Sequence, residues 1–233
     1  MPTLLLLRHG RTTANSSGVL AGRAPGVGLD EFGAAQAAAL PGRLTGVPLA
    51  LVVHSPLQRC VETLAPLLAR RGDLPVHADE RVTECEYGEW TGRTLKELAE
   101  EPLMATVRSH PSAAVFPGGE SLRGMQARVV EAVRDWDARV AAEHGQDAIW
   151  LMCTHGDNIK AIVADALGLH LDLFQRIAPH PASVTAIRYG APPAPPLLLR
   201  FGDTGDLAEF VPRTEAAARD EEEATRAPVG GGA

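Results

Sequence analysis

Leu4-Leu5-Leu6-Leu7-Arg8-His9-Gly10-Arg11 is the stretch on which the reading of this 233-residue chain turns. Its leucines form a short, continuous apolar run, the pattern of a fully buried strand. The basic tetrad that follows falls where a strand of an open α/β sheet hands over to a loop, and such sheets bind ligands there. An imidazole beside a guanidinium, with a glycine that lets the backbone come close, suits an anion that the imidazole can attack. From these residues alone, a basic surface turn is an equally good reading. A second strand-His-Gly unit far downstream, Trp150-Leu151-Met152-Cys153-Thr154-His155-Gly156, tips the balance towards a site.

Outward from that stretch, Thr12 to Leu29 is rich in Gly, Ser, Ala and Pro without a sustained period, which predicts a long loop at the ligand edge of the sheet. Asp30 is placed to cap a helix through Gln36 to Arg43, and Leu49 to Val53 reads as a second buried strand. Ser55-Pro56 reads as the cap and first turn of a helix with Leu57, Val61, Leu64 and Leu68 on one face and Arg59 in its first turn. Val76 to Val82 reads as a short, more exposed strand leading into Glu84-Cys85-Glu86-Tyr87-Gly88-Glu89-Trp90-Thr91-Gly92. A short helix around Leu95 to Leu98 and a weakly patterned, mobile excursion should follow, up to Pro117-Gly118-Gly119-Glu120.

Ser121 starts a long helix whose stripe of Leu122, Met125, Val129, Val133, Trp136 and Val140 steps by threes and fours. Ala148 to Cys153 is predicted as a central strand, Asn158 to Leu167 as the helix after His155-Gly156, and Val184 to Tyr189 and Leu197 to Phe201 as the last strands. Strand and helix alternate throughout. That argues for an α/β fold, a three-layer α/β/α sandwich around a mostly parallel central sheet. The expected division is one domain over residues 1–212 and a polar, disordered tail over 213–233.

Composition narrows the function. With a net charge of -7 the chain has neither a nucleic-acid footprint nor a polybasic membrane patch, so an anion must be held by local cations. Cys60, Cys85 and Cys153 are too scattered for a disulfide scaffold or a zinc site, and neither Cys60 nor Cys153 is followed six residues later by the Arg of a thiolate phosphatase loop. The leucine run lacks a basic preceding region and is too short for a signal peptide or a membrane span. A soluble, cytoplasmic protein is expected. His155 and Asp157 have no third ligand at useful spacing, so no metal is expected, and no Gly-x-x-x-x-Gly-Lys loop offers a nucleotide cradle.

Taken together, Arg8-His9-Gly10-x-Thr12-x-x-Asn15, Ser55-Pro-x-x-Arg59-x-x-x-Thr63, the Glu84 to Gly92 segment and Thr154-His155-Gly156 resemble the histidine phosphatase superfamily. That group contains the cofactor-dependent phosphoglycerate mutases, and the resemblance implies a phosphoglycerate mutase-like fold. It also implies that His9 is the nucleophile and that Glu84, rather than Glu86 or Glu89, is the acid. To attack phosphorus, His9 must be neutral at one nitrogen with the other held as a donor, typically to a backbone carbonyl. Arg8, Arg59 and His155 would surround the charge that spreads over the phosphoryl oxygens, His155 adding a third positive group if protonated, and each donor being worth on the order of 3 to 4 kcal/mol. Asn15 could donate to the phosphate or shape its loop. Arg23 and Arg93 could reach a second anionic group or lie on the surface, and His180 precedes a strand expected to end near the pocket. His54 reads as a strand-end histidine.

A carboxyl group beside incoming phosphate has its pKa raised by like charge and burial, so kcat/KM should be bell-shaped, with an acid-side optimum as in an acid phosphatase. The expected substrate is a small phosphorylated metabolite, with inorganic phosphate as the other ligand, no cofactor, and a homodimer possible through edge strands near residues 76–82. A phosphoglycerate mutase, with 2,3-bisphosphoglycerate as cofactor, is the main rival. The interval from Gly92 to Pro117 is short and the tail is polar, whereas the resemblance implies added segments closing the site of mutases, so hydrolysis is favoured. A binding module without turnover is the third reading.

Overall fold

The computed structural model of the chain describes residues 2–190 and 194–205. Strand β1 (Thr3–Arg8) leads through a single helical turn, α1 (Thr13–Ser16), to α2 (Glu31–Arg43), β2 (Leu49–His54), α3 (Gln58–Arg70) and β3 (Val76–Ala78). Three helices follow without a strand: α4 (Leu95–Ala99), α5 (Pro102–Ser109) and α6 (Leu122–His144). The chain then forms β4 (Ile149–Thr154), α7 (Gly156–Ala166), β5 (Val184–Arg188) and β6 (Leu197–Asp203). One sheet takes the order β3-β2-β4-β1-β5-β6. Its β3, β2, β4 and β1 pair in parallel, while β5 and β6 join antiparallel, so the sheet is mixed and parallel in the half that carries the motifs.

The leucine run lies in the interior because both faces of β1 are covered. Leu4 and Leu6 pack with Met125 and Val129 of α6 and Ile159 and Ile162 of α7. Leu7, and Leu5 partly, pack with Leu40 of α2 and Leu64 and Leu67 of α3. Successive strand residues point to opposite faces, which is how one run feeds two helical layers. The stripe along α6, from Leu122 to Val140, is buried throughout. Asp30 caps α2 as expected, accepting from the Gly33 N–H, and Ser121, at the expected start of the long helix, accepts from the Gly124 N–H.

The structure corrects three local expectations. Helix α3 starts at Gln58 behind Leu57, which provides no side-chain cap, so Ser55-Pro56 is not its first turn. Its buried face is Cys60, Thr63, Leu64 and Leu67, while Val61 is 46% exposed. The predicted strand from Val76 to Val82 stops at Ala78, and Glu80–Val82 wind into a 3-10 turn capped by Asp79. The weakly patterned stretch before Pro117 is largely helical, because Pro102 starts α5 and Met104 and Val107 anchor it in the core. The domain boundary at residue 212 and the tail lie outside the described residues. Among the described residues, no helix is long and apolar enough to cross a membrane.

Candidate active site

Register in the sheet brings the two His-Gly units together. Arg8 pairs with Thr154 at the carboxyl ends of β1 and β4, and the His9 N–H donates to the Thr154 carbonyl over 3.0 Å. The histidines that follow, His9 and His155, stand with ring centroids 5.2 Å apart. The His9 Nδ1 lies 2.8 Å from the Gly10 carbonyl, so Nδ1 carries the proton and Nε2 keeps its lone pair. Burial, and then the charges of Arg59 and Arg8, lower the His9 pKa well below its usual value and keep the ring neutral.

The loop that carries His9 is seated by close backbone contact. A Cβ on Gly33 would lie 1.9 Å from the Arg11 carbonyl oxygen, and one on Gly10 would lie 2.9 Å from the Gly33 oxygen. The Gly10 N–H donates to Thr63 Oγ1 over 2.8 Å, which is what the threonine one turn beyond Arg59 does.

Arg8 and Arg59 are both 2% exposed. Arg8 Nη1 donates to the Pro179 carbonyl, and burial lowers the guanidinium pKa to about 10, partly offset by Glu84 and Asp157, so it stays cationic at neutral pH. Arg59 Nη2 donates to the Gly22 carbonyl, and its Nε donates to His155 Nδ1 over 3.2 Å. His155 therefore accepts at Nδ1 and donates from Nε2 to Ser55 Oγ, 2.8 Å away. Burial and the Arg59 charge lower its pKa well below the usual value. That lowering favours a neutral His155, so the third positive group that a protonated ring would add is missing here and the cationic charge is that of Arg8 and Arg59.

Glu84, 2% exposed, sits on the loop between two 3-10 turns, with Oε1 accepting the Cys85 N–H. Burial and then the Asp157 charge push its carboxyl up to about 7, against the pull of Arg59, the Cys85 N–H and Arg8. The rivals lie outside: Glu86 is 41% exposed against Arg23, and Glu89 is exposed.

The other sequence candidates divide. Asn15 Oδ1 accepts from the Thr12 N–H and hydroxyl, which is the loop-shaping arrangement. Arg23 donates to the Glu84 carbonyl and pairs with Glu120 and Glu86, so it borders the acid loop. Arg93 is held on Glu101 at 2.6 Å, and His180 is exposed. His54 places Nδ1 on the Ser55 carbonyl at the end of β2.

Sequence reasoning missed Ser55 as the partner of His155. It also missed the role of Asp157, whose fully buried carboxylate meets Lys160 at 3.1 Å and the Tyr87 hydroxyl at 2.8 Å. The signal was present: Asp157 and Lys160 stand one turn apart on a helix whose buried residues are mostly apolar. Among the described residues, no group of three or more His, Cys, Asp or Glu side chains converges on a metal position.

A neutral imidazole with a free nitrogen, two buried guanidinia and a carboxyl titrating near neutrality, all at the carboxyl edge of an α/β sheet, define a protein equipped for phosphoryl-group chemistry. The sequence pattern of the histidine phosphatase superfamily (branch 1) matches residues 4–195, and the chain belongs to that family. Mycobacterial proteins are 36% identical over 180 residues, and the chain spans 48% of their length, about half. A glucosyl-3-phosphoglycerate phosphatase of Mycolicibacterium vanbaalenii is 32% identical over 72% of this chain and 76% of its own length. A 2,3-bisphosphoglycerate-dependent phosphoglycerate mutase of Gloeobacter violaceus is 31% identical over 71% and 75%. Among solved structures, a mycobacterial glucosyl-3-phosphoglycerate phosphatase complexed with VO3 superposes with a TM-score of 0.74 at 28% identity, covering 86% of this chain and 98% of that one.

Proposed function

We propose that the chain hydrolyses small phosphate monoesters through a phosphohistidine on His9. The observation that carries this reading is the His9 tautomer, with Nδ1 on the Gly10 carbonyl and Nε2 left with its lone pair beside His155 and two buried guanidinia. In the first step Nε2 bonds to phosphorus while the ester P–O bond breaks, and Glu84 gives its proton to the departing oxygen. In the second step Glu84, now a carboxylate, takes a proton from water as the water oxygen bonds to phosphorus and the P–N bond breaks. Arg8 and Arg59 offset the charge on the transferring group. Nucleophile and acid both come from side chains of this chain, so turnover is expected to survive chelation with EDTA.

Family membership supports a phosphatase or a mutase. We favour the phosphatase because the segment between Gly92 and Pro117 is short and forms α4 and α5, anchored in the core by Leu98, Met104 and Val107. The similarity to glucosyl-3-phosphoglycerate phosphatase makes sugar and glycerate phosphate esters the first substrates to try. Supplying 3-phosphoglycerate with 2,3-bisphosphoglycerate should give free phosphate, and isomerisation without release would establish the mutase instead. Labelled phosphate should be trapped on wild-type protein by rapid quench, and His9→Ala should lose both label and turnover, by more than about 10⁴-fold. A His9→Ala variant that keeps turnover would sink the reading.

A further inference from the structure

Glu84 has no strand beneath it, so something else must hold its backbone. The answer lies on α6. Arg128 spends all five of its N–H donors on the acid loop and on the turn behind it. Its Nη1 donates to the carbonyls of Arg81 and Thr83, each at 2.7 Å, and its Nη2 donates to the Glu84 carbonyl at 3.1 Å. The remaining donors grip Glu120 as a fork, Nε to Oε2 at 3.0 Å and Nη2 to Oε1 at 2.6 Å.

Glu120 completes the clamp from the other side. Its Oε1 accepts the Glu86 N–H at 2.9 Å, and its own N–H donates to the Glu86 carbonyl at 2.8 Å. The turn that carries it is pressed against the same loop, since a Cβ on Gly119 would lie 2.2 Å from the Glu86 oxygen. Thus one guanidinium, on a helix outside the pocket, bonds three consecutive or near-consecutive carbonyls around the acid and the carboxylate that grips the residue two beyond it.

We propose that Arg128, with Glu120 as its counterpart, is the positioning residue of the proton donor: it fixes the Glu84 backbone so that the carboxyl reaches the departing oxygen. This rests on the assignment of Glu84 as the acid. A lysine at 128 keeps the charge but has three donors on a flexible stem and no planar fork, so it separates positioning from electrostatics.

The test compares kcat/KM for two esters. p-Nitrophenyl phosphate releases a stable anion that needs no acid, whereas β-glycerophosphate releases an alkoxide that does. For Arg128→Lys we expect about a 100-fold loss on β-glycerophosphate and a several-fold loss or less on p-nitrophenyl phosphate. Glu84→Gln should show the same split, and Glu120→Gln a smaller one. Thermal melts accompany each variant, and Glu120→Gln carries the test if Arg128→Lys does not fold. Equal losses on both esters in the clamp variants, or none on either, would overturn the positioning role. A split in Glu84→Gln but not in the clamp variants overturns this inference alone, and no split in Glu84→Gln overturns the acid assignment and this inference with it.

Discussion

The imidazole side and the acid side of the pocket are held by opposite means. His9 stands on the end of β1, where the Arg8 N–H donates to the Ser183 carbonyl, the His9 N–H to Thr154, and the Ala182 N–H to both the Arg8 and His9 carbonyls. Backbone fixes backbone there. Glu84 stands on an irregular loop, and its neighbours' carbonyls are gripped by side chains. The Val82 carbonyl accepts from Thr154 Oγ1 and Asn158 Nδ2, and those of Thr83 and Glu84 accept from Asn158, Arg23 and Arg128. A sheet edge can thus fix a nucleophile with little help from side-chain identity, whereas an acid on a loop depends on several specific long-range donors.

The sharpest way to break this contrast is Glu84→Gln. Its rate on poor leaving groups should fall by about two to four decades, with a smaller loss on activated esters. The wild-type acid works protonated, so its raised pKa of about 7 predicts kcat/KM falling as pH rises through 7, and the variant should lack that limb. The acid-side limb belongs to His9, which must be neutral and whose pKa is lowered, so it lies below the usual histidine range. The same variant tests stability. The folded-state pKa of Glu84 is raised from 4.5 to about 7, so the stability it contributes at low pH is lost as pH rises between those values, on the order of 3 kcal/mol. Glu84→Gln should therefore raise the Tm at pH 8 relative to wild type and much less at pH 5. A variant less stable at both would show that the buried carboxylate is compensated by Arg8 and Arg59 more fully than its raised pKa implies.

Adding a methyl group on either side probes the contrast at smaller cost. Gly33→Ala would drive a Cβ into the Arg11 carbonyl and Gly119→Ala one into the Glu86 carbonyl, each destabilising by about 1 to 3 kcal/mol. The first should lower turnover of alkyl and aryl esters alike, because it disturbs the nucleophile's loop. The second should discriminate between them, because it disturbs the acid's loop. Identical patterns in ester assays of the two variants would erase the distinction. The smallest effect is expected at Ala182, a non-glycine residue at φ 58° whose N–H bonds both carbonyls of the nucleophile strand's end. In Ala182→Gly, relief of left-handed strain and the greater entropy of the unfolded chain oppose each other, so denaturant melts should agree with wild type to within about 1 kcal/mol.

Residues that report through local periodicity or capping are legible in the amino-acid order itself. The α6 stripe, the Asp30 and Ser121 caps and the paired His-Gly units all stand where their local patterns place them. The carbonyl partner expected for the nucleophile's ring is Gly10, one residue away. What is illegible there depends on distant partners. Ser55 has the local pattern of a helix cap, but it faces His155, 100 positions on. Asp157 stands two residues from a histidine as a metal ligand might, yet it forms a buried ion pair with Lys160. Helix α5 leaves little trace in the pattern because its apolar anchors, Met104 and Val107, are too few to make a period.

Side-chain type and short spacing are therefore enough to name the layers, the central strand and the groups able to do chemistry, since burial pattern and backbone capping act over a few residues. Protonation states and aim are another matter. Whether His155 is charged, how far the Glu84 carboxyl rises and which arginine steadies the acid depend on burial and on charges brought in from β1, α3, α6 and α7. Those energies fall off with distance in space and are blind to separation along the chain, so only the folded arrangement could set them.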